Sequence, residues 1–129
     1  MSDIVLDASA LLALLRREEG AKKVEAVIDG ARMSVVNLAE VISYYAKAGI
    51  DHRAIETMLR PLPLDIVPAD EALASIAGML RSTTSDAGLS LGDRFCLALA
   101  KRDGLPAWTA DRAWRRVAGA IDVQIVVVR

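Results

Sequence analysis

The apolar positions of this chain follow two rhythms. Short, nearly unbroken runs occur at residues 4–6, 34–36, 65–67, 107–109 and 124–128, built from Ile, Val, Leu, Ala, Trp and Thr, with Ser34, Asp65 and Gln124 opening three of them. Unbroken runs of this kind suit strands buried on both faces, as in a parallel sheet. Between them the apolar residues recur at helical spacing, over 9–17, 21–28, 37–48, 51–60, 69–80, 91–103 and 111–117. In the second of these, Val24, Val27 and Ile28 share one face. The stop signals agree: Gly49, Pro61 and Gly104, the last followed by Pro106, each stand where a helical pattern ends. Ser9 and Asp51 are the expected N-caps of the first and fourth helices. The polar stretch 82–88, Ser-Thr-Thr-Ser-Asp-Ala-Gly, reads as a surface loop. Strands alternating with helices predict an α/β fold with a mainly parallel sheet.

Composition narrows the picture. At 129 residues, 53% of them hydrophobic, the chain has the size and apolar content of one domain. No apolar run approaches the ~20 residues needed to cross a bilayer, and no basic segment precedes an apolar one near the start, so the expected location is the cytoplasm. A single cysteine, Cys96, excludes an internal disulfide. With His52 the only histidine, a zinc site is not expected. Cys96, Met58 and Met79 read as core residues and His52 as surface. The net charge of −1 gives no overall basic signature, so local charge matters more than the sum. One Phe, two Tyr and two Trp are too few for a stacking platform for single-stranded nucleic acid.

Four acids then stand out. Asp7 closes the first strand-like run, Glu40 follows the second, Asp111 follows the fourth, and Asp93 opens the apolar helix beginning Leu91-Gly92-Asp93. Each has an ordinary explanation. Asp7 and Ser9 can cap a helix. Asn37 and Glu40 have capping-box spacing, with Asn37 as the cap. Asp93 can complement a helix dipole, and Asp111 can be another N-cap. Together, however, they sit at the ends of segments whose carboxyl termini line the ligand crevice of an open parallel sheet. Carboxylates gathered there repel one another, and a hard divalent cation bound through oxygen is the usual remedy. Gly92 lets a neighbour approach Asp93's backbone closely. Arg94 and Arg112, each beside an acid, are candidate contacts for a phosphate backbone, with Lys101, Arg102, Arg115 and Arg116 nearby in sequence. Trp114 is expected to pack over the sheet edge.

The motifs Asp7-Ala-Ser9-Ala-Leu-Leu-Ala-Leu, Glu40 on the helix after the second strand, Leu91-Gly-Asp93-Arg-Phe-Cys-Leu-Ala-Leu-Ala and Thr109-Ala-Asp111-Arg-Ala-Trp114 resemble those of the PIN-domain ribonucleases. Within them the chain is most similar to the VapC-like toxins of bacterial type II toxin–antitoxin pairs. The likeness spans essentially the whole chain, although 51–79 carries no motif. It implies a three-layer α/β/α sandwich with a central, mainly parallel five-stranded sheet, and a single nuclease domain over 1–129. It also implies a metal-dependent endoribonuclease whose Asp7, Glu40, Asp93 and Asp111 hold Mg²⁺ or Mn²⁺. Ser9 and Thr109 would be hydroxyls beside the acids, and Asn37 would support Glu40. The expected partners are an RNA substrate, a small antitoxin and a second copy of the chain in a homodimer. An apolar groove for the antitoxin would lie on the helices around 11–17 and 24–28, or on 37–48 with Tyr44 and Tyr45.

Other classes share parts of this pattern. A Mg-binding phosphoryl-receiving signalling domain would call for paired acids early and a Lys after the last strand, where this chain reads Gln124-Ile-Val-Val-Val-Arg129. A haloacid-dehalogenase-like phosphatase would call for Asp two residues after Asp7, and position 9 is Ser. A non-catalytic PIN-like binding module has no need of four intact acids.

Overall fold

The computed structural model describes residues 2–129. Five short strands, β1 (Val5–Leu6), β2 (Arg32–Ser34), β3 (Asp65–Val67), β4 (Ala107–Thr109) and β5 (Ile125–Val127), form one parallel sheet in the order β3-β2-β1-β4-β5. The helices are α1 (Ala8–Leu15), α2 (Ala21–Val27), α3 (Val35–Lys47), α4 (His52–Leu59), α5 (Glu71–Thr84), α6 (Leu91–Asp103) and α7 (Ala118–Ile121). Two 3₁₀ turns, Ser85–Ala87 and Arg112–Arg116, complete the chain.

The three layers follow from the two-residue period of a strand. In β1, Val5 enters one core, with Leu73, Leu97, Leu99, Trp114 and Ile121. Leu6 enters the other, with Leu11, Val24, Met33, Val41 and Val128. Both are fully buried, which is why the strand alternates no polar residue. The α/β/α sandwich with a central parallel sheet is thus as expected. The order of the strands positions the crevice. The chain first grows from β1 towards β2 and β3, then returns to the other side of β1 for β4 and β5. The strand order reverses at β1, and the crevice beyond the carboxyl ends of β1 and β4 is where ligands bind in such sheets.

Several boundaries differ from those the sequence predicts. The run 34–36 is not a strand: β2 ends at Ser34, whose hydroxyl accepts from the Val36 amide and starts α3. The N-cap of α3 is therefore Ser34, and Asn37 lies inside the helix. Likewise Asp7, rather than Ser9, caps α1, its carboxylate accepting from the Ala10 amide at 2.8 Å. The stretch 82–88 is not a simple surface loop. Thr84 is buried and donates to the Leu80 carbonyl at 2.7 Å, so α5 continues to Thr84 before the 3₁₀ turn. Met79 is 72% exposed on α5 and belongs to no core, and Met58 is half-buried on α4. Asp51 caps α4 and Gly104, at φ 65°, ends α6, both as predicted. No helix among the described residues is long and apolar enough to cross a membrane.

Candidate active site

Asp7 sits at the reversal point and is 4% exposed. Its carboxylate is clamped on every side. The Ser9 hydroxyl donates to its two oxygens at 2.8 and 2.9 Å, the Ala10 amide donates at 2.8 Å, and the Thr109 hydroxyl donates at 2.6 Å. Ser9 reaches it because α1 starts at once after β1. Thr109 reaches it because β4 is paired with β1. These bonds favour the ionised carboxylate, but burial opposes it more strongly, and the charge of Asp93 adds repulsion. The outcome is a pKa raised from 3.8 to about 7.

Glu40 and Asp93 are joined through Asn37. The buried Asn37 amide donates to Glu40 Oε1 at 2.8 Å and to the Gly92 carbonyl at 3.0 Å, tying α3 to the start of α6. Asn37 and Glu40 are neighbours on the helix surface because they stand three residues apart. Gly92 faces the Glu40 carboxylate so closely that a Cβ there would collide with it. The close approach that a glycine allows at this position is therefore made by Glu40. Asp93 forms a full capping box with Ser90: the Asp93 amide donates to the Ser90 hydroxyl at 3.1 Å, and the Ser90 amide donates to Asp93 Oδ2 at 2.9 Å. One carboxylate oxygen carries that bond, and Asp93 stays half-buried.

The buried Cys96 thiol, one turn along α6, lies within the field of three of these acids. Its pKa is pushed well up, first by burial, then by the charges of Asp7, Asp93 and Glu40. Asp111 is exposed and caps the 3₁₀ turn Arg112–Arg116, accepting from the Ala113 amide at 2.9 Å. It connects to Asp7 through Thr109, whose hydroxyl accepts from the Asp111 amide at 3.0 Å. Ser9 in turn accepts from the Ala110 amide at 2.9 Å. Among the described residues, no three His, Cys, Asp or Glu side chains stand close enough to hold one metal ion by themselves. The four acids are thus drawn to one end of the sheet without forming a closed cage.

The donor set nevertheless suits a hard cation. Every candidate atom is a carboxylate, hydroxyl or amide oxygen. Asp7 bears a desolvation cost that an adjacent positive charge would offset. Asn37 Oδ1 is buried without a hydrogen-bond partner. Mg²⁺ takes only one or two carboxylates directly and keeps several waters, so a closed protein cage is not required.

Arg94 is a correction to the expected phosphate contacts. It is 9% exposed and its guanidinium donates to the Ala77 carbonyl on α5 at 3.0 Å. It fastens α6 to α5 and is not presented to a ligand. Lys101 is also occupied, donating to the Ile121 carbonyl at 2.9 Å. Arg112 is exposed at the mouth beside Asp111. Sequence reasoning overlooked Arg129, whose guanidinium donates through Nε to the Ala110 carbonyl at 3.2 Å and lines the same cavity as Ser9 and Asp111. Its only sequence signal is a cation directly after the last strand. Trp114 is completely buried in the core on one side of the sheet, and His52 is exposed on α4.

A parallel three-layer sandwich with carboxylates at the carboxyl ends of its central strands defines a class of α/β proteins with a polar, acid-bearing crevice. Comparison with known families makes this specific: PIN domain matches residues 4–120, and the chain belongs to that family. VapBC proteins are among the solved structures similar to it. Among solved structures it is similar to VapBC-5 from Mycobacterium tuberculosis, a member of the VapBC family of toxin-antitoxin systems, at 25% identity and TM-score 0.68, covering 97% of this chain and 98% of that one. DNA-bound VapBC from Salmonella typhimurium is similar over 100% of both chains at 18% identity and TM-score 0.76. A toxin-antitoxin complex from Klebsiella pneumoniae is similar over 98% of both at 20% identity and TM-score 0.72. The latter two likenesses bear on the fold alone. No curated protein matches the sequence.

Proposed function

We propose that this chain is a metal-dependent endoribonuclease, acting in the cytoplasm as the toxin of a toxin–antitoxin pair. The observation that carries the reading is Asp7: a carboxylate at the carboxyl end of the central strand, buried, held by three donors and yet short of positive charge. An acid kept in that state is poor structural material and good ligand material.

Asp7 and Asp93 would hold Mg²⁺ or Mn²⁺ directly, with Glu40 and Asp111 completing the set through water. When bound, the ion supplies charge against a phosphoryl oxygen and lowers the pKa of a coordinated water. The protein's part is positioning. Ser9 and Thr109 fix both oxygens of Asp7. Asn37 fixes Glu40 against the Gly92 backbone, so that its second oxygen is left to orient water or take up a proton. His52, exposed and paired with Glu56, stands apart from this group, leaving carboxylates as the acid–base residues available to an RNA phosphodiester. Hydrolysis by water rather than attack by a 2′-hydroxyl is the route that set favours.

The VapBC likenesses support a small antitoxin as partner, and we extend the reading to a homodimer and to the chain acting as one nuclease domain. The apolar groove between α3 and α4, lined by Leu38, Ile42, Ile55 and Leu59, is a surface that an antitoxin helix could fill.

The test is cleavage of labelled RNA with Mn²⁺ by the wild type and by Asp93→Asn. Cleavage by the wild type that falls at least a hundredfold in the variant supports the assignment. Equal cleavage by both rejects it.

A further inference from the structure

The second signal at the crevice is positive. Beside Ser9 and Asp111 lies an open cavity of about 440 Å³ whose remaining walls are Ala110, Arg112 and Arg129. Both arginines are oriented by backbone: Arg112 Nε donates to the Arg129 backbone oxygen at 3.3 Å, and Arg129 Nε donates to the Ala110 carbonyl at 3.2 Å. Each is engaged through Nε alone, which leaves the terminal nitrogens of both guanidinium groups for a ligand. Among the described residues neither arginine forms an ion pair, although Asp111 lines the same cavity. Trp114, on the same 3₁₀ turn as Arg112, is turned into the core. Two guanidinium groups lining one cavity can share an anion with several oxygens, and planar forks match phosphate geometry.

We propose that Arg112 and Arg129 form a phosphate subsite that grips an RNA phosphodiester adjacent to the one held at the acids. The subsite rests on the nuclease reading for its substrate but is separable from it. Ser9 connects the two places: it bonds to Asp7 on one side and lines the arginine cavity on the other. RNA is favoured over an acidic protein segment because Ser9 joins the cavity to the crevice of the acids, so one phosphodiester chain can run from one place to the other.

The experiment measures binding of a fluorescein-labelled single-stranded RNA oligonucleotide to the full chain in EDTA, over a salt series, for the wild type, Arg112→Gln, Arg129→Gln and the control Arg81→Gln. Arg81 is exposed on α5 and is not among the residues that line the cavity. A polyglutamate peptide of equal charge is run beside it, and circular dichroism confirms that each variant is folded. Each cavity variant is expected to bind RNA about tenfold more weakly and to lower the salt slope by about 0.7, the release from one single-stranded phosphate. Arg81→Gln should bind as the wild type. Unchanged RNA binding in both cavity variants overturns the subsite, as does a loss confined to polyglutamate, which would mark a protein partner's contact. RNA bound through the arginines but never cleaved with Mn²⁺ upholds the subsite and sinks the nuclease. Cleavage untouched by either variant does the reverse.

Discussion

Asp7→Asn tests the electrostatic state of the site without reference to any substrate. In the fold the Asp7 carboxyl is raised from 3.8 to about 7 by burial. A folded-state pKa above the unfolded value means that the native protein binds the extra proton between those two pH values. Stability is therefore lost as pH rises from about 4 to about 7, and the loss is complete above that, where folded and unfolded chains no longer differ in bound protons. At about 1.4 kcal/mol per tenfold change, the full cost of keeping Asp7 ionised is on the order of 4 kcal/mol in metal-free buffer. Asparagine removes the charge and keeps the shape. Its carbonyl can still accept from the Ala10 amide, and the Thr109 hydroxyl can turn towards Ser9, 3.2 Å away. After allowing for imperfect repacking, the variant should be about 2 kcal/mol more stable at pH 8, a rise of about 8 °C in midpoint for a domain of this size. The gap should shrink towards zero near pH 4. Adding Mg²⁺ at pH 8 should raise the wild-type midpoint and leave Asp7→Asn unmoved. Thermal unfolding followed by circular dichroism in EDTA, from pH 4 to 8, and repeated with Mg²⁺ at pH 8, measures each of these quantities. A variant that melts with or below the wild type at pH 8, with a gap indifferent to pH, would refute the reasoning.

Other consequences are local. Asn37→Ala frees Glu40 and strips a donor from the buried Gly92 carbonyl, so unfolding should cost about 1–3 kcal/mol less, and RNA cleavage should fall at least tenfold; denaturant titration and a cleavage time course check the two parts. Gly92→Ala pushes the Glu40 carboxylate aside while offering α6 a better helix former, so activity should drop at least tenfold with little change in the urea midpoint. Cys96, buried and surrounded by negative charge, should ignore a thiol reagent at pH 8 in the native protein and react fully in guanidinium chloride; fast native labelling would contradict its placement.

Local signals carried the elements whose ends are set by local chemistry. The predicted 65–67, 107–109 and 91–103 coincide with β3, β4 and α6: short apolar runs mark the strands, Gly104 marks the end of α6, and the Ser90–Asp93 box, which the structure adds, fixes its start. Periodicity misleads where one apolar run crosses a boundary. Val35 and Val36 look like strand residues, but the Ser34 hydroxyl captures the Val36 amide and the helix begins there. Thr84 resembles a loop residue until the fold supplies a buried environment for it. Arg94 and Met79 exchange places, the cation inside and the thioether outside, because only the packing of α5 on α6 decides which faces are covered. The capping explanations of Asp7 and Asp111 hold in the structure, and Asp93, expected only to complement a helix dipole, closes a capping box, so capping and ligation are not rivals here: the cap fixes one carboxylate oxygen and thereby aims the group. What no single motif contains is the strand order that brings residues 7, 40, 93 and 111 to one end of the sheet.

The most direct measurement is Mn²⁺ binding to the RNA-free protein by isothermal titration calorimetry, for the wild type, Asp7→Asn and Asp93→Asn. A saturable site in the wild type that weakens at least tenfold in each folded variant is the predicted result. Affinity that is the same in all three proteins would mean that these carboxylates share no cation, and the metal-dependent nuclease would fall with it.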